Sequence, residues 1–193
     1  MDPPWPNASV RRTKKSGNAP YQVVDSLWDL GNLVFETNLD MLLAEGGLVG
    51  IWITNKPAVR DFVLGEDGIF ATWGVELEEE WLWVKTTRKG EPVTAIYSLW
   101  RKPYEVLLLG RKRKHGDYAG ETTRDVTRRV IAGVPDLHSR KPCLKELIEP
   151  LMPDPSRYHA LEVFARYLVS GWWSWGNEVL KFNYEGWWQS SNG

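Results

Sequence analysis

Apolar residues in the first half of the chain follow two patterns, a helical spacing and a continuous run. From Val24 to about Glu45 the spacing is helical, and Gly31-Asn32 predicts a break between two helices. The run GGLVGIWITN is continuously apolar behind Gly47, which predicts a strand buried on both faces. Pro57 and Gly65 bracket PAVRDFVLG in the manner of a first helical residue and a helix terminator. This half therefore alternates helix and strand.

The second half continues the alternation. ATWGVELEEEWLWVKT and YEVLLLGRK are predicted strands, and the acidic run Glu78, Glu79 and Glu80 in the first predicts a solvated turn or strand edge. RKPCLKELIEPLM predicts a short amphipathic helix ending at Pro150 or Pro153, YHALEVFARYL a strand-like centre, and GWWSWGNEVLKF a turn at Gly176-Asn177. The pattern predicts an α/β domain with a mainly parallel sheet and functional residues at the carboxyl ends of strands.

Size and composition narrow the classes of protein. A chain of 193 residues with 42% hydrophobic content suits one well-buried domain over residues 1–193. Its net charge of −1 gives no global field for nucleic acid, so a polyanion must meet local basic patches. Cys143 is the only cysteine, which excludes a disulfide framework and fits a reducing compartment. No apolar run reaches the roughly 18 residues of a membrane span, so no membrane partner is predicted.

The first residues, MDPPW, carry the first candidate chemistry. Pro3 and Pro4 lock φ and lack an N–H, so they hold the Asp2 carboxylate and the Trp5 ring in a stiff segment. Such a segment suits methylation of an exocyclic amine on a nucleobase. Asp2 and a proline carbonyl would accept its two N–H groups, and Trp5 would stack on a single-stranded or flipped base. An Asx turn or helix cap is the structural alternative for Asp2.

Other familiar chemistries lack their motifs. The chain has no GxxxxGK[ST], HExxH or GxSxG sequence, and its three histidines lie in unrelated contexts. Neither metal-dependent hydrolysis nor triad catalysis is indicated, and no metal site is predicted.

DPPW and several later segments resemble one known family. DPPW is the catalytic signature of the MT-A family of N(6)-adenine methyltransferases (the 70 kDa subunit type), and the resemblance extends through IWITN, EWLWVKTT, RKPYEVLLLGRK, HSRKP and LEVFAR...GWWSWGNEVLKF. Within the family, RKPYEVLLLGR and SWGNEVLKF look most like the methyltransferase-like protein four branch. The resemblance implies a Rossmann-like methyltransferase sheet with a permuted motif order, in which DPPW precedes the cofactor motifs.

The resemblance also implies S-adenosylmethionine as cofactor. Lys141 would meet its carboxylate, Glu162 and Arg166 would lie along the ribose and its supporting network, and Asn177 and Glu178 would face ribose and adenine. These residue types suit those groups, because lysine matches a carboxylate as a point charge, while glutamate and asparagine match hydroxyls and an amino group. A structural ion pair between Glu162 and Arg166 stays open.

Candidate substrate contacts follow the signature. Tyr21 resembles a substrate-facing aromatic of the family, with ordinary packing as the alternative. The segment RRTKK is a candidate phosphate contact for RNA or DNA, with a solvated loop or a nuclear-import signal as the alternative. Its basic residues are Arg11, Arg12, Lys14 and Lys15.

The predicted function is S-adenosylmethionine-dependent methylation of the N(6) amine of adenine in nucleic acid, in the nucleus or cytosol. Small nuclear RNA is the first substrate class and DNA the second. The rival is a non-catalytic nucleic-acid-binding or scaffold subunit of a methyltransferase complex, against which an intact DPPW argues. The family places an apolar strand before the acid, whereas Met1 alone precedes Asp2 here. We therefore expect a missing upstream strand or N-terminal region, or a protein partner.

Overall fold

The computed structural model describes residues 1–6, 24, 26–98, 102–116, 125–136 and 140–184. They belong to two compact units. The sheet unit is Pro3–Val134, and the carboxy-terminal unit is Pro135–Gly193 together with Met1–Asp2. A single domain over residues 1–193 stays a prediction. No helix in the described ranges is long and apolar enough to cross a membrane.

A four-stranded sheet forms the centre of the sheet unit. Its strands are β1 (Leu48–Ile53), β2 (Val75–Lys85), β3 (Tyr104–Lys112) and β4 (Thr127–Gly133), in the spatial order β1-β3-β2-β4. Strand β3 runs antiparallel to β1 and β2, and β4 runs parallel to β2. The α/β class is confirmed, but the mainly parallel sheet is wrong. Parallel neighbours need a crossover connection, and the helices that follow β1 lead to β2, which is not its neighbour.

Among the described residues, the sheet unit contains the α-helices α1 (Leu27–Glu36), α2 (Pro57–Leu64) and α3 (Ile69–Thr72). Helix α1 begins where the Ser26 hydroxyl accepts the N–H of Asp29 at 3.1 Å. It runs through Gly31, so the predicted break there is wrong. Gly31 is buried, and a Cβ on it would stand 3.5 Å from the Phe62 ring of α2. Tertiary packing therefore outweighs the weak helix propensity of glycine.

The acidic run of β2 lies in an interior strand of the sheet, so its prediction as a turn or strand edge is wrong. Each glutamate of this strand from residue 76 to residue 80 meets an arginine from a neighbouring strand, from α2 or from the segment after β3. The pairs are Glu76–Arg113 at 2.7 Å, Glu78–Arg111 at 2.8 Å, Glu79–Arg129 at 2.6 Å and Glu80–Arg60 at 2.9 Å. Opposite charges on neighbouring strands stabilise a sheet. The glutamates of β2 therefore neutralise the arginines that lie beside them.

The carboxy-terminal unit is built on two short parallel strands, β5 (Leu161–Val163) and β6 (Trp173–Trp175). The strand predicted in YHALEVFARYL and the turn predicted at Gly176-Asn177 are both confirmed. The predicted amphipathic helix is a single turn, α4 (Lys145–Ile148), followed by a 3₁₀ turn over Glu149–Leu151. Pro150 lies in that turn, because proline cannot continue an α-helix.

The uninterrupted α1 predicts a stabilising substitution. Gly31→Ala adds a methyl group at ordinary contact distance and lowers the conformational entropy of the unfolded chain, so we expect unfolding to cost about 0.5–1 kcal/mol more. Gly110→Ala is the control of opposite sign, since its Cβ would lie 2.5 Å from Val75. Urea unfolding followed by circular dichroism measures both. A destabilised Gly31→Ala protein would contradict this account of α1.

Candidate active site

Asp2 and Lys141 form a shielded ion pair in the carboxy-terminal unit. Lys141 Nζ lies 3.0 Å from Asp2 Oδ2, and the two side chains are 12% and 13% exposed. The Asp2 N–H also donates to the carbonyl of Val163, at the end of β5, over 3.4 Å. The hydroxyl of Tyr167 donates to the Lys141 carbonyl at 3.0 Å. Lys141, predicted to meet a cofactor carboxylate, thus holds the predicted catalytic carboxylate in this structure.

Glu162 and Ser174 are paired across the two parallel strands, Glu162 in β5 and Ser174 in β6. Residues opposite each other in a sheet share a face. Glu162 Oε2 and Ser174 Oγ are both buried and have no hydrogen-bond partner among the described residues. Leaving such an atom unsatisfied costs roughly 1–3 kcal/mol. Two such atoms on one face mark a place where the hydroxyl groups of a ligand would be stabilised.

The ionisation of Glu162 reflects its surroundings. Burial raises the pKa of this carboxyl above its ordinary value; the positive chain terminus opposes the shift and the Asp2 carboxylate adds to it. Burial also raises the pKa of the nearby Tyr167 hydroxyl, and the charge of Glu162 adds to that shift. The Glu162 carboxyl and the Tyr167 hydroxyl are thus both held toward their neutral forms.

Arg166, Asn177 and Glu178 lie on the two segments that follow β5 and β6. Arg166 Nη1 lies 2.9 Å from Glu178 Oε2, and Lys181 Nζ lies 3.5 Å from the other oxygen of Glu178. The exposed Asn177 lies in the predicted turn. A Cβ on Gly176 would overlap the Ala165 carbonyl, so glycine allows the two segments to approach.

Phe164 adopts an unusual backbone conformation between these residues. Its φ of 61° is rare for a residue with a side chain, and its ring stacks on Trp175 at a centroid distance of 6.4 Å. Such strain persists where the surroundings over-determine it, and it concentrates at functional sites. The outlier therefore points to the same segment as the predicted Glu162 and Arg166.

Pro3, Pro4 and Trp5 lie in the sheet unit. The Trp5 N–H donates to the Pro3 carbonyl at 2.8 Å, which closes a three-residue γ-turn around Pro4. The Trp5 side chain is only 6% exposed. Its indole N–H donates to the Trp52 carbonyl at 2.8 Å, and its ring meets Phe62 edge to face. Its stacking on a base stays a prediction.

The predicted substrate contacts lie outside the described residues. They are Tyr21, Arg11, Arg12, Lys14 and Lys15. A second basic stretch, RKRK over residues 111–114 at the end of β3, lies within the described residues, and three of its side chains bond within the sheet unit. Arg111 and Arg113 pair with glutamates of β2, and Lys112 donates to the Trp73 carbonyl.

The sequence profile of the MT-A70 family matches residues 1–178. This chain belongs to the MT-A70 family. The match extends from the DPPW signature to Glu178 and so includes every predicted catalytic and cofactor residue. The predicted resemblance is confirmed.

Several relatives of this MT-A70 chain are named as N6 methyltransferases. It is 43% identical over 192 residues to the N6-methyladenosine RNA methyltransferase MTA1 of Cryphonectria parasitica, covering 99% of this chain and 54% of that protein. It is 36% identical to the human N(6)-adenine-specific methyltransferase METTL4, covering 95% of this chain and 37% of that protein. It is 30% identical to a Caenorhabditis elegans DNA N6-methyl methyltransferase, covering 92% and 44%. The chain spans about half the length of the curated relatives it matches.

A methyltransferase family implies a methyl donor, and the carboxy-terminal unit has groups that fit one. Lys141 offers an ammonium group to an anionic end. The unsatisfied oxygens of Glu162 and Ser174 suit sugar hydroxyls. Ser174 was not predicted from the sequence, because only its register against Glu162 brings it to this face.

The raised pKa of Glu162 predicts a pH-dependent gain in stability for Glu162→Gln. The folded protein holds the carboxyl proton to higher pH than the unfolded chain does, so this stabilisation exists in acid and is lost as pH rises through the folded-state pKa. We expect Glu162→Gln to melt at a higher temperature than wild type near neutral pH.

Below the ordinary glutamate pKa of 4.5 this gain should vanish. Thermal melts across this pH range measure it. Glu146→Gln is the control, because Glu146 is exposed on α4 and its substitution should change stability little at either pH. A gain that is equal at acid and neutral pH would contradict the burial argument.

Proposed function

We propose that this chain transfers a methyl group from S-adenosylmethionine to N6 of adenine in nucleic acid, with RNA as the first substrate class and DNA as the second. The observation that carries the proposal is a carboxylate, Asp2, held by Lys141 directly before a stiff proline turn in a member of the MT-A70 family. The names of the relatives support adenine as the target base, and they include both RNA and DNA enzymes.

The chemical difficulty is the amine itself, because its lone pair is delocalised into the purine ring. Asp2 would accept one N–H, and the carbonyl of Pro3 or Pro4 would accept the other. The two acceptors would direct the nitrogen lone pair out of the ring plane. S-adenosylmethionine, when bound, supplies a methyl group on a positively charged sulfur. The methyl–sulfur bond would break as the nitrogen–methyl bond forms, and the methylated nitrogen would then lose its extra proton to water. We assign Asp2 the role of a hydrogen-bond acceptor, since carboxylates are weak general bases.

Lys141 would serve both partners of the reaction. A lysine ammonium carries three donors, so it can keep its bond to Asp2 while it meets the carboxylate of the cofactor. This shared contact would place the acceptor of the amine at a fixed distance from the methyl donor. Losing Lys141 should therefore weaken cofactor binding and also disorder Asp2.

The remaining polar groups of the carboxy-terminal unit would hold the nucleoside part of the cofactor. Glu162 and Ser174 would meet the ribose hydroxyls, which satisfies their buried oxygens. Asn177 and Glu178 would face ribose and adenine, with Arg166 fixing the Glu178 carboxylate.

The substrate and the location of the protein rest on the sequence. Tyr21 and the basic residues from Arg11 to Lys15 are proposed to contact the target strand. A nuclear or cytosolic location agrees with the single cysteine, and the RRTKK stretch suits a nuclear-import signal. A protein partner is part of this proposal.

Radiolabelled methyl transfer to adenine-containing RNA and DNA oligonucleotides tests the function. We expect transfer by wild type and a loss of about 10²–10³-fold for Asp2→Ala, because a preorganised acceptor is removed. Asp154→Ala is the matched control, since Asp154 bonds only to the local Ser156 and Arg157 in the described structure and should not affect transfer. Methyl transfer by the Asp2→Ala protein at the wild-type rate would contradict the role given to Asp2.

The rival function, a binding or scaffold subunit, has its own signature. It predicts that the protein binds the oligonucleotides and shows neither methyl transfer nor calorimetric binding of S-adenosylmethionine. Methyl transfer together with calorimetric binding of S-adenosylmethionine would exclude this rival function.

The unsatisfied Ser174 hydroxyl predicts a loss of cofactor affinity on truncation. Ser174→Ala should weaken calorimetric binding of S-adenosylhomocysteine by about 5–10-fold, the value of one hydrogen bond. Ser156→Ala is the control, because the Ser156 hydroxyl bonds to Asp154 at 2.6 Å in the same unit. If Ser174 and Glu162 share a ligand, Ser174→Ala and Glu162→Gln should be non-additive in the double variant. Unchanged affinity in Ser174→Ala would remove Ser174 from the site.

A further inference from the structure

We infer that Trp5 is a positioning residue, which fixes the Pro3 carbonyl through contacts with β1 and α2 and does not form a stacking platform for the base. The inference rests on the proposed function, because it concerns the acceptor for the adenine amine. It also assigns a supporting role to Lys56, at the start of α2.

The indole of Trp5 makes two contacts within the protein, one through its N–H and one through its ring. Its N–H donates to the carbonyl of Trp52, a residue of β1, over 2.8 Å in a buried environment. Its ring meets the Phe62 ring of α2 at a centroid distance of 6.1 Å and an angle of 86°. Edge-to-face pairs of this kind are favourable beyond their buried area. These contacts tie Trp5 to two rigid elements.

Burial of the ring argues against stacking. The Trp5 side chain is 6% exposed. A base stacks on the open face of an aromatic ring, which this burial denies. Exposing the ring would break the Trp52 hydrogen bond and leave a buried carbonyl with one partner fewer.

The main chain carries the position of the ring to the Pro3 carbonyl. The Trp5 N–H donates to Pro3 O at 2.8 Å, so the ring, its backbone and the carbonyl form one closed turn. Pro4 at the centre of the turn has its φ fixed by its ring, which suits this geometry. A carbonyl oxygen has two lone pairs, so Pro3 O retains acceptor capacity for an amine.

Lys56 anchors the other end of the segment. Its Nζ donates to the carbonyl of Pro6 at 2.7 Å. Lys56 immediately precedes Pro57, the first residue of α2, so its backbone is set by the start of that helix. Pro3 to Pro6 are thus held at the Trp5 ring and at the Pro6 carbonyl.

Substitution of Trp5 by phenylalanine separates positioning from stacking. Trp5→Phe keeps an aromatic face and loses the indole N–H. Positioning predicts a kcat for oligonucleotide methylation lower by about 10–100-fold with KM nearly unchanged, since small misplacements of a reacting group have effects of this size. Stacking predicts a kcat close to wild type in this variant.

Trp81→Phe is the matched control. Trp81 is 2% exposed in the same unit, and its indole N–H donates to Glu79 at 2.6 Å. It should lose a similar amount of thermal stability and keep kcat. A fall in kcat that is equal in both variants would reduce Trp5 to a structural residue and overturn the inference.

Substitutions of Lys56 provide an independent test, in which a conservative variant should restore activity. Lys56→Met removes the donor to Pro6 and should lower kcat in the same direction as Trp5→Phe, whereas Lys56→Arg restores a donor and should recover it. A Trp5→Phe protein with wild-type kcat, or with raised KM and unchanged kcat, overturns the inference and leaves the proposed function intact. Absence of adenine methylation by wild type overturns the proposed function and the inference together.

Discussion

The ion pair between Asp2 and Lys141 is the constraint on which the candidate site depends. It joins residues 139 positions apart in sequence and fixes the carboxylate that begins the family signature. Both side chains are largely shielded from water, so the attraction is screened less than that of a surface pair, and breaking it would leave a poorly solvated charge. The Asp2 N–H bond to Val163 holds the backbone of the same residue. The position of Asp2 is thus fixed through both its side chain and its backbone.

The surroundings of this pair are costly for the folded protein. Glu162 is held in a buried position that disfavours its charge, its neighbour Ser174 has an unsatisfied hydroxyl, and Phe164 has a strained backbone. Each of these lowers stability, and they lie within one pair of short strands and the segment that follows β5. Concentration of such costs is typical of a site whose ligand supplies the missing contacts. The arrangement is therefore better explained by binding than by packing.

Local sequence patterns were sufficient to predict several helices and strands, but they were insufficient to predict how the strands pair. The apolar runs of β1 and β3 and the Pro57 and Gly65 boundaries of α2 depend on nearby residues, so they could be predicted. Strand direction depends on partners far along the chain, and the parallel sheet was wrong for that reason. β4 is largely exposed and mixes polar with apolar residues, and it was not predicted. At the site, Asp2 and Lys141 could be named from motifs, whereas Ser174 required the register of two strands.

Trp5 shows why a signature residue and its role are separate questions. The four letters of DPPW place an aromatic ring after two prolines, and from sequence that ring could face a base or the protein interior. The location of a hydrogen-bond acceptor for the indole decides between them, and the Trp52 carbonyl lies 47 residues away in sequence. Because the prolines transmit orientation rigidly, a ring fixed to the sheet also fixes the carbonyl two residues before it. Because the segment from Pro3 to Trp5 is stiff, contacts that hold the Trp5 ring also hold the Pro3 carbonyl.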